Sequence, residues 1–195
     1  MIVTKDSEIR VWETLRRRQL IDATPWLRLW SETVRLPDGR VIGDYYTLEQ
    51  PDFVVVFALT DENEVIGIWH YKHGPRRVNL GLPAGYLEPS EDSLAAAQRE
   101  LLEETGYQAD SWQLLGRFTV DGNRGGGQAH IYLARQLRAM AEPNPDDLEE
   151  IKLDLITLTE LQQHLENGSV ATLGAATAIA FGLNVVAQST LEGKL

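Results

Sequence analysis

Apolar and polar side chains alternate along the first part of the chain, as expected for strands that bury one face. Residues 26–34 follow this alternation, and the turn sequence PDG at 37–39 returns the chain into residues 41–48. This pattern predicts a β-hairpin. Residues 53–59 (FVVVFAL) instead form a continuous apolar run, which is typical of a strand buried on both faces.

The remaining pattern predicts more short strands, followed by helices. The acidic turn at 61–64 predicts that residues 65–71 pair back on 53–59 as a second hairpin. Residues 6–20 fit either a short helix or an extended arm. The other predicted elements are strands at 112–118, 130–134 and 151–158, a helix from Thr159, a break at 167–168 and a last helix at 170–187. Strands flanked by helices predict an α/β (α+β) fold with a mixed sheet.

Residues 90–106 predict a helix with one apolar face, formed by Leu94, Ala97 and Leu101. Ser90 is expected to cap its N-terminus, with Glu91 and Asp92 in the first turn, where negative charge is favoured. Gly106 is expected to end the helix in the left-handed conformation.

Three acids, Glu100, Glu103 and Glu104, lie at the C-terminal end of this predicted helix. The helix dipole disfavours each carboxylate there by about 0.3–1 kcal/mol, and repulsion between neighbours adds to this cost. The residues alone leave two interpretations open. One is a solvated acidic face partly neutralised by Arg99. The other is a site for a divalent cation such as Mg²⁺, which prefers oxygen ligands.

Composition limits the classes of function. The chain has 195 residues, with 18 basic and 29 acidic side chains and a net charge of −11, so a general nucleic-acid-binding role is not expected. There are no cysteines, which excludes disulfides and thiolate catalysis. The N-terminus lacks the apolar stretch of a signal peptide, and polar residues interrupt residues 170–187, so we expect a cytoplasmic protein without a membrane span.

The spacing around the acids is specific. Gly85, Glu91, Arg99, Glu100, Leu101, Glu103, Glu104, Gly106 and Tyr107 occupy every fixed position of the pattern GX5EX7REUXEEXGU, in which U is apolar. The chain therefore resembles a Nudix hydrolase. This resemblance implies a Nudix fold, with a mixed β-sheet sandwich flanked by helices and, here, a small N-terminal β-strand extension. It also implies a bound Mg²⁺ (or Mn²⁺) and hydrolysis of a nucleoside diphosphate linked to another group.

Further segments are similar to the ADP-ribose pyrophosphatase branch of that family. They are LPDGR at 36–40, VVVFAL at 54–59, HYKHGPRR at 70–77, LPAG at 82–85 and residues 148–178. This similarity implies cleavage of ADP-ribose or a related nucleoside diphosphate sugar. It further implies an N-terminal arm and hairpin at 1–48 that forms a homodimer, and a Nudix domain at 49–195. The alternatives are a sensor that binds a nucleotide sugar without turnover, and a nucleoside triphosphate pyrophosphohydrolase.

The resemblance also implies roles for individual residues. Glu100 and Glu104 would be the main metal ligands, with the backbone carbonyl of Ala84 as a third and Glu103 in a water-mediated or second-metal contact. Arg99 completes the catalytic set, and an ion pair with Glu91 would fix the loop against the helix. The substrate-binding candidates are Lys72, Arg76, Arg124 and Trp30.

Two positions depart from the branch. The loop at 121–128 (DGNRGGGQ) has no glutamate, which leaves a glutamate of the motif or Asp121 as the proton acceptor. Gly81 stands where a glutamate usually precedes LPAG. The four histidines show no metal-binding spacing and are interpreted as incidental to function.

Overall fold

The computed structural model describes residues 9–144 and 150–191. The ends of two segments discussed above, residues 6–8 and 148–149, therefore lie outside the described residues. The chain divides into two compact units. The first consists of Met1–Pro51, as far as it is described, with Thr119–Gly127, and the second of Asp52–Phe118 with Gln128–Leu195, again as far as described.

The first unit contains three antiparallel strands in the order of the chain. These are β1 (Glu13–Ala23), β2 (Leu27–Arg35) and β3 (Val41–Glu49). The predicted hairpin at 26–48 is confirmed as β2 and β3. The N-terminal segment is a strand, so its extended interpretation is correct and the helical one is wrong. Every residue of β1 is exposed, and β1 is the terminal strand of its sheet, with β2 as its partner.

Two long strands, β8 (Tyr107–Asp121) and β9 (Gly125–Ala139), follow each other and pair. Of the glycine-rich segment 121–128, only residues 122–124 form the connection, and the remainder lies at the ends of the two strands. Gly125, Gly126 and Gly127 have φ values of 89°, 82° and 79°, which side chains rarely adopt.

The second unit is built around β4 (Phe53–Ala58), which lies between the parallel strand β9 and the antiparallel strand β7 (Ala84–Tyr86). Its alternate residues face two different helices. Val54, Val56 and Ala58 pack with Ala97 and Leu101 of α1 (Ser93–Thr105). Residues of the other face pack with α3 (Leu173–Leu191), whose Ala178 and Ile179 are fully buried. This arrangement explains why the β4 sequence is apolar throughout.

A second, three-stranded sheet has the order β10 (Ile151–Thr157), β5 (Glu64–Lys72), β6 (Arg77–Gly81). The prediction that residues 65–71 pair with β4 is wrong, since only one bridge, between Leu59 and Val65, joins them. The acidic turn directs β5 into this second sheet, where β10 and β6 supply its hydrogen bonds. The predicted helix near Thr159 is confirmed as α2 (Leu158–Glu166). No helix within the described residues is long and apolar enough to span a bilayer.

Candidate active site

The helix that carries the acids begins two residues later than the sequence predicts. Asp92 is its N-cap and accepts a hydrogen bond from the Leu94 backbone N–H at 3.0 Å. Ser90 has a φ of 68° and lies in the turn before the helix, so the prediction of Ser90 as the cap is wrong. The first turn of α1 has no acidic residue, since Glu91 lies before the cap. The turn directs Glu91 towards Arg99 instead.

Arg99 is the hub of an ion-pair cluster at one side of α1. Its guanidinium makes a two-pronged contact with Glu91, with Nε to Oε1 at 3.0 Å and Nη2 to Oε2 at 2.9 Å. Its Nη1 donates to Glu100 at 2.7 Å and to Glu103 at 3.1 Å. The backbone carbonyl of Tyr86 accepts from Nη2 at 3.1 Å. The predicted ion pair of Glu91 with Arg99 is therefore present, and it ties α1 to the segment after β7.

This cluster shifts the ionisation of its members. Hydrogen bonds from Arg99 hold the pKa of Glu91 below its ordinary value of 4.5. The hydrogen bonds with Glu91, together with the hydrogen bond and the negative charge of Glu100, raise the pKa of Arg99 above its already high ordinary value. The side chains of Glu91 and Arg99 are 15% and 25% exposed, so solvent only partly screens their interaction.

Glu104 and Glu100 both lie against the short strand β7. The Glu104 side chain is buried and accepts a hydrogen bond from the Ala84 backbone N–H at 2.8 Å. A Cβ added at Gly85 would lie 2.0 Å from Oε1 of Glu100. The Glu100 carboxylate thus occupies the space that the missing side chain leaves. This close approach is the physical reason for a glycine at position 85.

The two carboxylates therefore converge on the backbone of Ala84 and Gly85, which β7 holds by pairing with β4. Among residues 9–144 and 150–191, no three His, Cys, Asp or Glu side chains form a ready-made metal cluster. The third donor implied by the resemblance is a backbone carbonyl, that of Ala84, rather than a side chain. Oxygen donors of this kind, two carboxylates and one backbone carbonyl, fit a hard divalent cation.

We expect Gly85→Ala to inactivate the protein while leaving it folded. The new methyl group displaces only the end of the Glu100 side chain, so the melting temperature should fall by less than about 5 °C. Turnover should fall by roughly 100-fold, the effect of about 1 Å of misplacement in an active site. Steady-state kinetics and thermal denaturation measure both. Gly43→Ala is the matched control, since nothing lies within 4 Å of its added Cβ. Full activity of Gly85→Ala would contradict the geometry.

A cleft of about 330 Å³ adjoins the same two backbone residues. One side is apolar and includes Phe53, Val55 and Leu82. Lys72 and His70 lie in the wall of this cleft. The first turn of α3 contributes Gly174 and Ala175.

The other predicted substrate residues have different surroundings. Arg76 lies in the exposed turn between β5 and β6, with a φ of 55°. Arg124 is exposed, and its backbone N–H donates to Asp121 Oδ1 at 3.1 Å. Within the first unit, the Arg17 guanidinium lies 4.0 Å from the ring centroid of Trp30 and covers one face of the indole. A nucleobase could not stack on that face.

Asp121 is engaged within its own turn. It accepts hydrogen bonds from the backbone N–H groups of Asn123 and Arg124, which lower its pKa. A lowered pKa makes a carboxylate a weaker base, which weakens the case for Asp121 as the proton acceptor.

Sequence reasoning missed several residues that line the cleft, notably His70, Phe53 and Tyr86. The signal for His70 was present, because His70 and Lys72 are two apart on one strand and so share a face. The interpretation of the histidines as incidental overlooked this relation. His130 is also buried, with Nε2 at 3.5 Å from Asp52 Oδ2.

Comparisons with known proteins show the family. The loop, helix and acids define a site of the Nudix type, and the NUDIX domain model matches residues 49–173. The chain belongs to the NUDIX family and is a Nudix hydrolase. A second model, the nucleoside diphosphate sugar hydrolase N-terminal domain, matches residues 12–48. Nudix hydrolases generally need a divalent metal.

Individual relatives cover most of the chain. An ADP-ribose pyrophosphatase of Bacillus subtilis is 28% identical over 87% of this chain and 91% of its own length. A methanol dehydrogenase activator of Bacillus methanolicus is 30% identical over 75% of this chain and 78% of its own. The crystal structure of an ADP compounds hydrolase superposes with a TM-score of 0.82 at 19% identity, over 97% of this chain and 100% of that one. This superposition confirms the predicted α+β Nudix fold.

Proposed function

We propose that this protein is a Mg²⁺- or Mn²⁺-dependent pyrophosphohydrolase that cleaves ADP-ribose or a related nucleoside diphosphate sugar. The observation that carries the proposal is the convergence of Glu100 and Glu104 on the backbone of Ala84 and Gly85, beside a cleft that contains Lys72. The similarity to the ADP-ribose pyrophosphatases of Bacillus subtilis and Mycobacterium tuberculosis supports the choice of substrate.

Glu100, Glu104 and the carbonyl of Ala84 would hold the cation. When bound, the cation neutralises the diphosphate oxygens and makes water a better nucleophile. Arg99 fixes the direction of Glu100 and joins α1 to the segment after β7. Lys72 adds a positive charge in the cleft, which favours an anionic substrate.

Glu103 is the residue best suited to accept the proton of the attacking water. Its side chain is 41% exposed, so water can reach it, and Arg99 Nη1 donates a hydrogen bond to it at 3.1 Å. A bond forms between the water oxygen and one phosphorus as the bond from that phosphorus to the bridging oxygen breaks. The bridging oxygen leaves with the other phosphate. ADP-ribose would thus give AMP and ribose 5-phosphate.

A substrate panel tests this proposal. ADP-ribose, other nucleoside diphosphate sugars, dinucleotides and nucleoside triphosphates are each incubated with Mg²⁺ or Mn²⁺, and the products are separated. Preferred cleavage of a nucleoside diphosphate sugar supports the proposal. Preferred cleavage of triphosphates, or binding of ADP-ribose in Mg²⁺ without products, would assign one of the two alternative functions.

We further propose that the protein is a cytoplasmic homodimer formed through residues 1–48. The exposed strand β1 carries apolar residues that a partner could cover, with Leu15, Leu20 and Ile21 at 40%, 37% and 50% exposure. Such an edge strand favours association with another chain. We expect light scattering to give twice the mass of one chain, and a monomer would contradict the proposal. Ile21→Lys should shift the mass towards that of a monomer.

A further inference from the structure

The strand that carries Lys72 places a second polar side chain, His70, in the cleft wall. β5 and β6 pair antiparallel, with Ile68 opposite Gly81 and His70 opposite Asn79. Because residues two apart on a strand share a face, His70 projects on the face where a side chain of Gly81 would project.

His70 fills the space above Gly81. A Cβ added at Gly81 would lie 2.8 Å from Nε2 of His70 and 3.2 Å from Cε1. The His70 side chain is buried, and its backbone carbonyl accepts a hydrogen bond from the fully buried Asn79 side chain at 3.3 Å. The imidazole is therefore packed against the backbone of β6.

This position matters because of what else lines the cleft. The lining includes Ala84 and Gly85, and Gly85 lies against the carboxylate of Glu100. A diphosphate beside Glu100 would direct one of its two substituents into this cleft. The cleft has an apolar side, with Phe53 and Leu82, and a polar side, with His70 and Lys72. A sugar ring, which has apolar faces and hydroxyl groups at its edge, matches such a lining.

We propose that the imidazole of His70, seated over Gly81, limits the size of the sugar that enters this cleft, so that a pentose is favoured over a hexose. The inference rests on the proposed nucleoside diphosphate sugar hydrolysis. His70 acts here by occupying volume, and it takes no part in the bond-breaking step.

The test compares two pairs of substrates. ADP-ribose and ADP-glucose share a base and differ in the sugar, which is joined to the diphosphate through C5 in ADP-ribose and through C1 in ADP-glucose. ADP-glucose and UDP-glucose share a sugar and its linkage and differ in the base. Each variant is compared with the unmodified protein on the same substrates, so the difference in linkage is common to both proteins. We expect His70→Ala to raise the ratio of kcat/KM for ADP-glucose to that for ADP-ribose by about tenfold, the usual effect of a small volume change in a pocket. The change should lie mainly in KM. The ratio of kcat/KM for ADP-glucose to that for UDP-glucose should stay unchanged.

Two more variants test whether the volume of the His70 side chain sets the sugar preference. His70→Phe keeps a ring over Gly81, so it should keep the pentose preference of the unmodified protein. Gly81→Ala should push the imidazole outward and raise KM for ADP-ribose by about tenfold. In the His70→Ala background the same Gly81→Ala change should have no effect on KM, because the clash is gone. Thermal denaturation of each variant identifies any that do not fold.

These experiments can overturn the inference about His70 without overturning the proposed function. If the unmodified protein cleaves none of these substrates, the proposed function fails, and the inference fails with it. If it cleaves them but His70→Ala leaves the sugar ratio unchanged, only the inference is overturned. If His70→Ala changes the ratio of kcat/KM for ADP-glucose to that for UDP-glucose, the inference is also overturned, since the cleft would then receive the base. A loss of pentose preference in His70→Phe would show that the imidazole acts by hydrogen bonding rather than by size.

Discussion

Replacing Glu100 with Gln should lower turnover of the best substrate by roughly 100- to 1,000-fold. The amide keeps the size of the side chain but removes the charge beside Gly85. A metal contributes several kcal/mol of charge stabilisation in the transition state, and each 1.4 kcal/mol or so corresponds to a factor of ten in rate. Steady-state kinetics at saturating Mg²⁺ measure the effect, which should fall mainly on kcat.

The control for this variant is Glu166→Gln. Glu166 ends α2 and accepts a hydrogen bond from Gln162, a contact that lies outside the acidic cluster. This change should leave kcat within about twofold, as is usual for surface substitutions away from special features. If Glu100→Gln turns over substrate as fast as Glu166→Gln does, then Glu100 is not a metal ligand.

Replacing Arg99 with Met should lower the free energy of unfolding by about 2–3 kcal/mol at neutral pH. The change leaves Glu91, Glu100 and Glu103 without the guanidinium that all three share. Removing one partner of a fully buried pair costs more, but the Arg99 side chain is 25% exposed, so solvent reduces the loss. Urea denaturation followed by tryptophan fluorescence measures it. Arg138→Met, which removes an exposed contact with Asp110, should cost less than about 1 kcal/mol.

Low pH should reduce the difference in unfolding free energy between Arg99→Met and the unmodified protein. Arg99 lowers the pKa of Glu91 in the folded state, so the ion pair stabilises the fold above the ordinary value of 4.5. That contribution is lost as the pH falls through the lowered pKa. The difference in unfolding free energy should therefore be greatest near neutral pH and shrink well below pH 4.5. A difference that does not change with pH would show that packing of Arg99, rather than its charge, stabilises the loop.

The local arrangement of the acidic motif could be predicted because the spacing of the motif encodes it. Position 85 must be glycine where Glu100 approaches the backbone, and Glu91 and Arg99 must be spaced to meet across the turn. These contacts lie within about one helix and its preceding loop, so a sequence pattern can represent them. The continuous apolar run of β4 was equally clear, since both of its faces are covered.

Other features depend on pairing between distant segments, which local patterns do not encode. β5 follows β4 after a short acidic turn, yet its hydrogen bonds go to β10 and β6. Ser90 is a good capping residue, but the helix is capped by Asp92, because the loop that contains Ser90 must bring Glu91 to Arg99. The position of His70 over Gly81 depends on the register of two strands, and only the folded chain reveals it.

The most direct test of the whole account is phosphorus NMR of the protein with ADP-ribose and Mg²⁺. We predict that the two diphosphate signals disappear and that equal signals of AMP and ribose 5-phosphate replace them. Removing the cation with a chelator should stop the reaction, and adding Mg²⁺ again should restore it. Diphosphate signals that persist with Mg²⁺ and with Mn²⁺, in a protein shown to be folded, would contradict the assignment of ADP-ribose. Persistence with every nucleoside diphosphate sugar would contradict the proposed hydrolysis itself.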